Sequence, residues 1–301
     1  MKKQEQYSST AQMLALSRFG SVGPRTFDAL MVRFGSLGAI LSAEKAELQL
    51  INGLSASWIK RITAAGDHLG DADKILKVLL DRGINVTSRF EADYNHLLFE
   101  LNNPPNILYF QGMLPVDTMK SVAIVGAENA TSEGIGLTAL LVKAFCRSKV
   151  QIVSTLSGGI DVAAHLASRS AGGMSFAVLD RGIDHADVVG QVSLAHDIAQ
   201  AGGVISEYSP EMLPTAVMLE AANRLVVGFS QGVVVTELYA DSARALDLLD
   251  FCASIGKLSF VVTDPRYGVL IDETSLARAL KCGAILIDGA DHVDDIIRSL
   301  V

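Results

Sequence analysis

The sequence predicts an α/β protein: a doubly wound parallel sheet preceded by a small all-helical domain. Three observations carry that reading. From Ser121 onward, near-continuous apolar runs of strand length alternate with helix-length segments, the pattern of parallel strands buried on both faces. The 301 residues are 50% hydrophobic but only 6% aromatic, so small aliphatic side chains supply a core of helices packed on a sheet. The first 65 or so residues instead show short apolar-periodic stretches broken by glycines.

The elements follow in order. Ala11–Arg18 and Phe27–Phe34 read as helices, the second broken by Gly35 and Ser36. Ser42-Ala43-Glu44-Lys45 reads as an N-cap and first turn. Gly53-Leu54 precedes a helix around Ala56–Gly66, so this part has the form of a helix-hairpin-helix. Backbone N–H groups at the second helix of such a hairpin hold a phosphate, or the module simply packs. Ala72–Arg82 is a helix, Ile84–Thr87 a strand, Leu97–Leu101 helical, and Ile107–Phe110 strand-like. Strands are then expected at Val122–Val125, Gln151–Ser154, Met174–Leu179, Gly203–Ser206, Gly232–Glu237, Leu258–Thr263 and Ala284–Ile287. The intervening helices are Gly134–Arg147, Ile160–Ala171, Val192–Ala201, Met218–Phe229, Ala243–Ile255 and Leu276–Cys282. The resulting domains are 1–70 (helical), 71–115 (connecting helix and strand), 116–290 (the sheet domain) and 291–301 (a tail).

Charge is uneven. Residues 1–117 carry 12 Lys/Arg and 12 Asp/Glu, whereas residues 118–301 carry 13 and 21, so the whole formal charge of −8 belongs to the second part. That balance argues against strong nonspecific DNA affinity, although a local basic groove is compatible with it. No apolar run reaches the roughly 18 residues of a membrane helix, and the polar start Met1–Tyr7 leads into no signal-peptide core. Cys146, Cys252 and Cys282 are odd in number, far apart and in apolar surroundings. They read as reduced thiols of a cytoplasmic protein, with no metal spacing.

Ligands of doubly wound sheets sit beyond the carboxyl ends of the strands, which draws attention to Gly126, Ser154, Ser206, Glu207, Glu237 and Thr263. Ser154–Asp161 follows a strand and opens a helix, and its Ser157-Gly158-Gly159 stretch either cradles a phosphate or is an ordinary turn. There is no Walker-type or G-x-G-x-x-G loop. Asp161 and His165 share one helix face. They form either an acid–base pair or a helix-start carboxylate with a structural histidine. Arg224 contacts phosphate or pairs with Glu207 or Glu237, since buried charges need partners. No Ser-His-Asp arrangement can be argued.

In that order the segments resemble the DNA-processing protein A (DprA/Smf) family over most of residues 10–290. The likeness rests on Gly53-Leu54, Pro105–Gly112, Val122–Gly126, Gly159-Ile160-Asp161 with Ala164-His165, and Gly182-Ile183-Asp184. It continues through Ile205–Tyr208, Asn223-Arg224, Val233–Glu237 and Gly283-Ala284. The resemblance implies an extended Rossmann-like domain after a helix-hairpin-helix (SAM-like) domain, and single-stranded DNA bound at the strand ends. It further implies a homodimer through the Rossmann-like domain, a role in natural transformation as a recombination mediator loading a RecA-type recombinase, and neither catalysis nor a cofactor. The DNA- and phosphate-binding residues it points to are Gly126, Ser154, Gly158, Gly159, Asn223 and Arg224, with Arg244 and Lys257 able to rebuild part of a basic site. Asp161, His165, Ser206, Glu207 and Glu237 are expected to support the pocket.

The departures concern the same site. The family's Ser/Ala-Arg after Gly126 is Ala127-Glu128, its Ser-Gly is Ser154-Thr155, and its Arg-Asn-Arg is Ala222-Asn223-Arg224. Its Ser-Gly-Ser/Ala loop is Ser242-Ala243-Arg244, its Tyr-Pro is Asp187-Val188, and its late Pro-Gly is Thr263-Asp264. About a dozen residues follow Ile287, too few for the winged helix some members carry. An Arg-to-Glu change turns a phosphate clamp into a phosphate repeller. The phosphate pocket is therefore expected to be degraded. Two alternatives stand beside DNA processing: a scaffold working through protein partners, and a Rossmann-like nucleotide-binding protein.

Overall fold

The computed structural model describes residues 6–186, 192–239 and 242–300. The Asp187-Val188 departure lies outside them. The chain divides into two units. The first comprises residues 1–94 and 102–109, the second residues 95–101 and 110–301.

In the first unit, α1 (Ser9–Leu14) is capped by the Ser8 hydroxyl and runs on into a π-helical turn, Ala15–Phe19. Helix α2 (Pro24–Phe34) starts with proline in its first turn and stops at Gly35, whose φ of +76° suits glycine. Ser36 then caps α3 (Leu37–Leu41). Helix α4 (Lys45–Leu48) is capped by Glu44 through a reciprocal box with Glu47. The expected cap, Ser42, closes α3 instead, because a carboxylate with a second carboxylate three residues on satisfies two orphan N–H groups. Gly53 turns the chain at φ +87° into α5 (Ala56–Ala65), so a glycine turn joins two helices there. Helix α6 (Leu69–Asp81) and strand β1 (Asn85–Ser88) follow. Phe27, Leu30, Ile40, Leu48, Ile59 and Ile62 are buried and form this unit's core. Strand β2 (Ile107–Gly112) straddles the division of the chain.

The second unit is a parallel sheet with helices between its strands. In chain order these are β3 (Ser121–Val125), α7 (Ser132–Arg147), β4 (Gln151–Ser154), α8 (Gly159–Ser170) and β5 (Ser175–Val178). Next come α9 (Val192–Ala201), β6 (Gly203–Ser206), α10 (Ala216–Gly228) and β7 (Gly232–Val235). The last are α11 (Ala243–Ile255), β8 (Leu258–Thr263), α12 (Glu273–Lys281), β9 (Ile285–Asp288) and α13 (Val293–Ser299). The strand order β6-β5-β4-β3-β7-β8-β9 is parallel at every pairing. Val122 lies opposite Ile152 on one side and Gly232 on the other. The chain winds outward from β3 to β6, then restarts beside β3 at β7. The sheet is therefore doubly wound, and its switch in direction falls at β3.

One face of this sheet buries Val122, Ile124, Ile152, Val234 and Phe260 against Leu137, Leu141 and Phe145 of α7 and Ile160 of α8. Each such side chain contributes roughly 1.5–3 kcal/mol. Val293, Ile296 and Leu300 complete the cluster. The stretch after residue 291, read above as a tail, thus closes the core as α13. Its length of 7 residues is too short for periodicity to reveal. No helix among the described residues is long and apolar enough to cross a membrane.

Candidate functional site

The switch in strand order brings the carboxyl ends of β3, β4 and β7 side by side, and Glu128, Asp161, Glu237 and Arg244 lie there. After β3 the chain turns at Gly126, where a Cβ would come within 2.6 Å of the Ile160 side chain. The next two carbonyls, of Ala127 and Glu128, press on Gly159 at the start of α8, where φ is +45° and a Cβ would strike both. The Ile160 N–H donates to the Ala127 carbonyl at 3.1 Å. The helix start that would receive a phosphate is thus partly occupied by the chain's own loop.

Ser154 closes β4, and its hydroxyl donates to the Ile124 carbonyl at 2.6 Å, joining two strands. Thr155 beside it is the hub of a buried cluster. Its hydroxyl donates to Asp161 Oδ2 and accepts from Arg244 Nη1 at 2.8 Å. Arg244 Nη2 donates to the same Asp161 oxygen. Asp161 is fully buried and Arg244 is 8% exposed. Glu128 Oε1 lies 3.5 Å from Arg244 Nε, with its side chain half exposed. His165, one turn after Asp161, donates from Nε2 to the Thr155 carbonyl at 3.0 Å. Burial pulls the imidazole down to about 4, against weaker upward contributions from the Thr155 carbonyl and Asp161, so it is neutral with an unprotonated Nδ1. Three polar atoms of this cluster, Asp161 Oδ1, His165 Nδ1 and Arg244 Nε, are buried without a hydrogen-bond partner.

At the end of β7, Glu237 faces the start of α7. Its carboxylate accepts the Thr131 N–H at 3.0 Å and the Thr131 hydroxyl at 2.6 Å, while that hydroxyl accepts the Gly134 N–H at 3.0 Å. A Cβ at Gly134 would strike the Glu237 carboxylate. Glu237 therefore anchors a helix start and does not pair with Arg224. Arg224, on α10, pairs with Glu207 at the end of β6, both side chains about 15% exposed. Burial raises the Glu207 carboxyl above its ordinary range despite Arg224, and burial with Glu207 nearby raises the Tyr208 phenol to about 12. The Ser206 hydroxyl donates to the Arg181 carbonyl and accepts the Tyr208 N–H, holding that loop. Asn223 Oδ1 is buried without a partner.

The structure thus gathers Gly126, Ser154, Gly158, Gly159, Asp161, His165 and Arg244 around Thr155. Glu207 and Arg224 form a separate pair at β6. Lys257 does not join either group. It immediately precedes β8 and bonds Glu100 at 2.7 Å beside a cleft of about 220 Å³ at the opposite, amino-terminal edge. A residue just before a parallel strand cannot reach the carboxyl edge, so its expected place in the basic site is corrected. Sequence reasoning missed Thr131 and Gly134 as partners of Glu237. The signal available was a threonine three residues before a glycine at a helix start.

Comparison with known proteins gives the arrangement its context. The sequence model of the DNA recombination-mediator protein A family matches residues 85–294. The chain is 30% identical over 234 residues to Protein Smf of Synechocystis, covering 76% of this chain and 58% of that protein. It is 31% identical over 165 residues to DNA processing protein DprA of Bacillus subtilis, covering 54% and 56%. The matched stretches are thus under two thirds of those relatives' own length. Among solved structures, DNA processing protein A of Streptococcus pneumoniae superposes with a TM-score of 0.72 at 20% identity, covering 98% of this chain and 99% of that one. DNA processing protein A of Helicobacter pylori, studied for its single-stranded DNA binding mode, gives 0.60 at 20% identity, covering 72% and 97%. With the family's sequence model matching more than half of its length and a relative 30% identical over 76% of it, this chain belongs to the DNA recombination-mediator protein A family.

Proposed function

We propose that this chain acts in DNA processing, binding single-stranded DNA along the carboxyl-end rim of the sheet through a degraded phosphate pocket and assisting a RecA-type recombinase. The observation that supports this most is the cluster at the switch in strand order, where Ser154, Thr155, Asp161, His165 and Arg244 sit together. Arg244 and Arg224 are both committed to carboxylates, so phosphate contacts are few and a Kd on the order of 10⁻⁵ M or weaker is expected at physiological salt. The reading assigns no catalytic residue and no cofactor. It includes a homodimer in the cytoplasm. The edge strand β9 leaves Ile285 and Leu286 44% and 47% exposed, an apolar edge suited to a second copy. Sedimentation of the chain and of Leu286→Lys tests the dimer.

Binding of fluorescent oligo-dT at several salt concentrations tests the DNA reading. Affinity that falls steeply with salt supports it, and no binding at low salt rejects it. The pairing of Arg244 on two sides by carboxylates favours one second reading, a scaffold acting through protein contacts, which absence of binding would leave standing.

A further inference from the structure

The Arg244 guanidinium has one edge left. Thr155 and Asp161 hold its two Nη groups. Its Nε is buried with no hydrogen bond, and among the described residues the charged group against that edge is Glu128, at 3.5 Å and without a hydrogen bond. The backbone carrying Glu128 lies against the cluster: the Ala127 carbonyl accepts the Ile160 N–H, and the Glu128 carbonyl comes close to Gly159. The carboxylate itself is 49% exposed, hence hydrated and cheap to move away. Among the described residues of the cluster, the carboxylates of Asp161 and Glu128 outnumber the one guanidinium of Arg244. An incoming phosphate at that edge would have to replace Glu128, since two anions cannot share one guanidinium edge without repelling.

We propose that Glu128 is an affinity-setting latch: an internal carboxylate that stands on the free edge of Arg244 in the place of a backbone phosphate and competes with single-stranded DNA for it. This rests on the DNA-binding reading above. It makes Arg244 an available phosphate contact once Glu128 is neutralised, and it assigns the weakness of this site to one side chain rather than to loss of the pocket.

The test is fluorescence anisotropy of labelled oligo-dT on the full chain and on Glu128→Gln and Glu133→Gln, with melting temperatures recorded for each. Glu133 is exposed in the first turn of α7 and carries the same charge, so its variant controls for net charge alone. Glu128→Gln is expected to bind about tenfold tighter at low salt, with a log–log salt slope steeper by about 0.7, the signature of one added phosphate contact on a single strand. Glu133→Gln should stay within about twofold of the parent, because Glu133 is exposed and its side-chain hydrogen bond is to Ser132, not to Arg244. If the parent binds and Glu128→Gln is no tighter, or if Glu133→Gln gains as much, the latch is refuted while the DNA-binding reading stands. If neither the parent nor Glu128→Gln binds at low salt, both fall.

Discussion

At the start of α7 the Glu237 carboxylate receives an N–H and a hydroxyl from Thr131, and no side-chain atom there is left buried without a partner. At the start of α8, on the neighbouring β4, the Asp161 carboxylate receives Thr155 and Arg244 on one oxygen and nothing on the other. His165 and Arg244 each leave a further buried nitrogen unpaired. Both are helix starts at the same edge of the sheet, each with a buried acid. The first is finished internally and serves as scaffold. The second keeps a cost of about 1–3 kcal/mol per unmet group, which marks it as the place where the fold is held for something other than stability.

The sharpest way to break this contrast is Arg244→Met. It leaves Asp161 buried without its cation and should cost about 4 kcal/mol, read from urea unfolding at pH 7. A loss under about 1 kcal/mol would mean that the pair holds little together. Next is acid. The folded imidazole of His165 titrates at about 4, below the roughly 6.5 of an unfolded chain. Its contribution is therefore fully present above pH 6.5 and disappears as pH falls from there through 4. The loss is about 3 kcal/mol. His165→Gln should flatten that limb of the stability–pH curve, and an unchanged limb would place the acid sensitivity elsewhere. Glu237→Gln should cost about 1.5 kcal/mol by weakening charge-assisted bonds to Thr131, a value to compare directly with Arg244→Met. Smallest is Gly134→Ala, about 1 kcal/mol from crowding the Glu237 carboxylate. Combined with Glu237→Gln it should be non-additive, because the two share one contact.

Much of the sheet is legible in the sequence. Gln151–Ser154, Gly203–Ser206 and Leu258–Thr263 coincide with β4, β6 and β8, since strands buried on both faces are continuous apolar runs with polar ends. Helix starts were less legible. α12 begins at Glu273 under the Asp272 cap, not at Leu276, because the apolar run starts later than the backbone hydrogen bonds do. In the site, the residues were legible but their pairings were not. Arg224 had two candidate acids on different strands, and only the order of the sheet assigns Glu207 to it and Glu237 to Thr131. Thr155 stands where the resembling family has glycine. Its hydroxyl proves to organise Asp161 and Arg244, a role that depends on long-range contacts across 89 residues of chain.

The division of the chain has a consequence for how the molecule is made and cut. Residues 95–101 belong to the second unit, yet residues 102–109, which come after them, belong to the first. During translation the first unit is incomplete until a piece of the second has already emerged. A single protease nick between residues 95 and 109 would leave each fragment holding part of the other's fold. Truncation at the apparent boundary near residue 116 would likewise remove Asn95–Leu101 and the end of β2 from the sheet unit. An expression fragment that starts there is expected to aggregate where the intact chain does not.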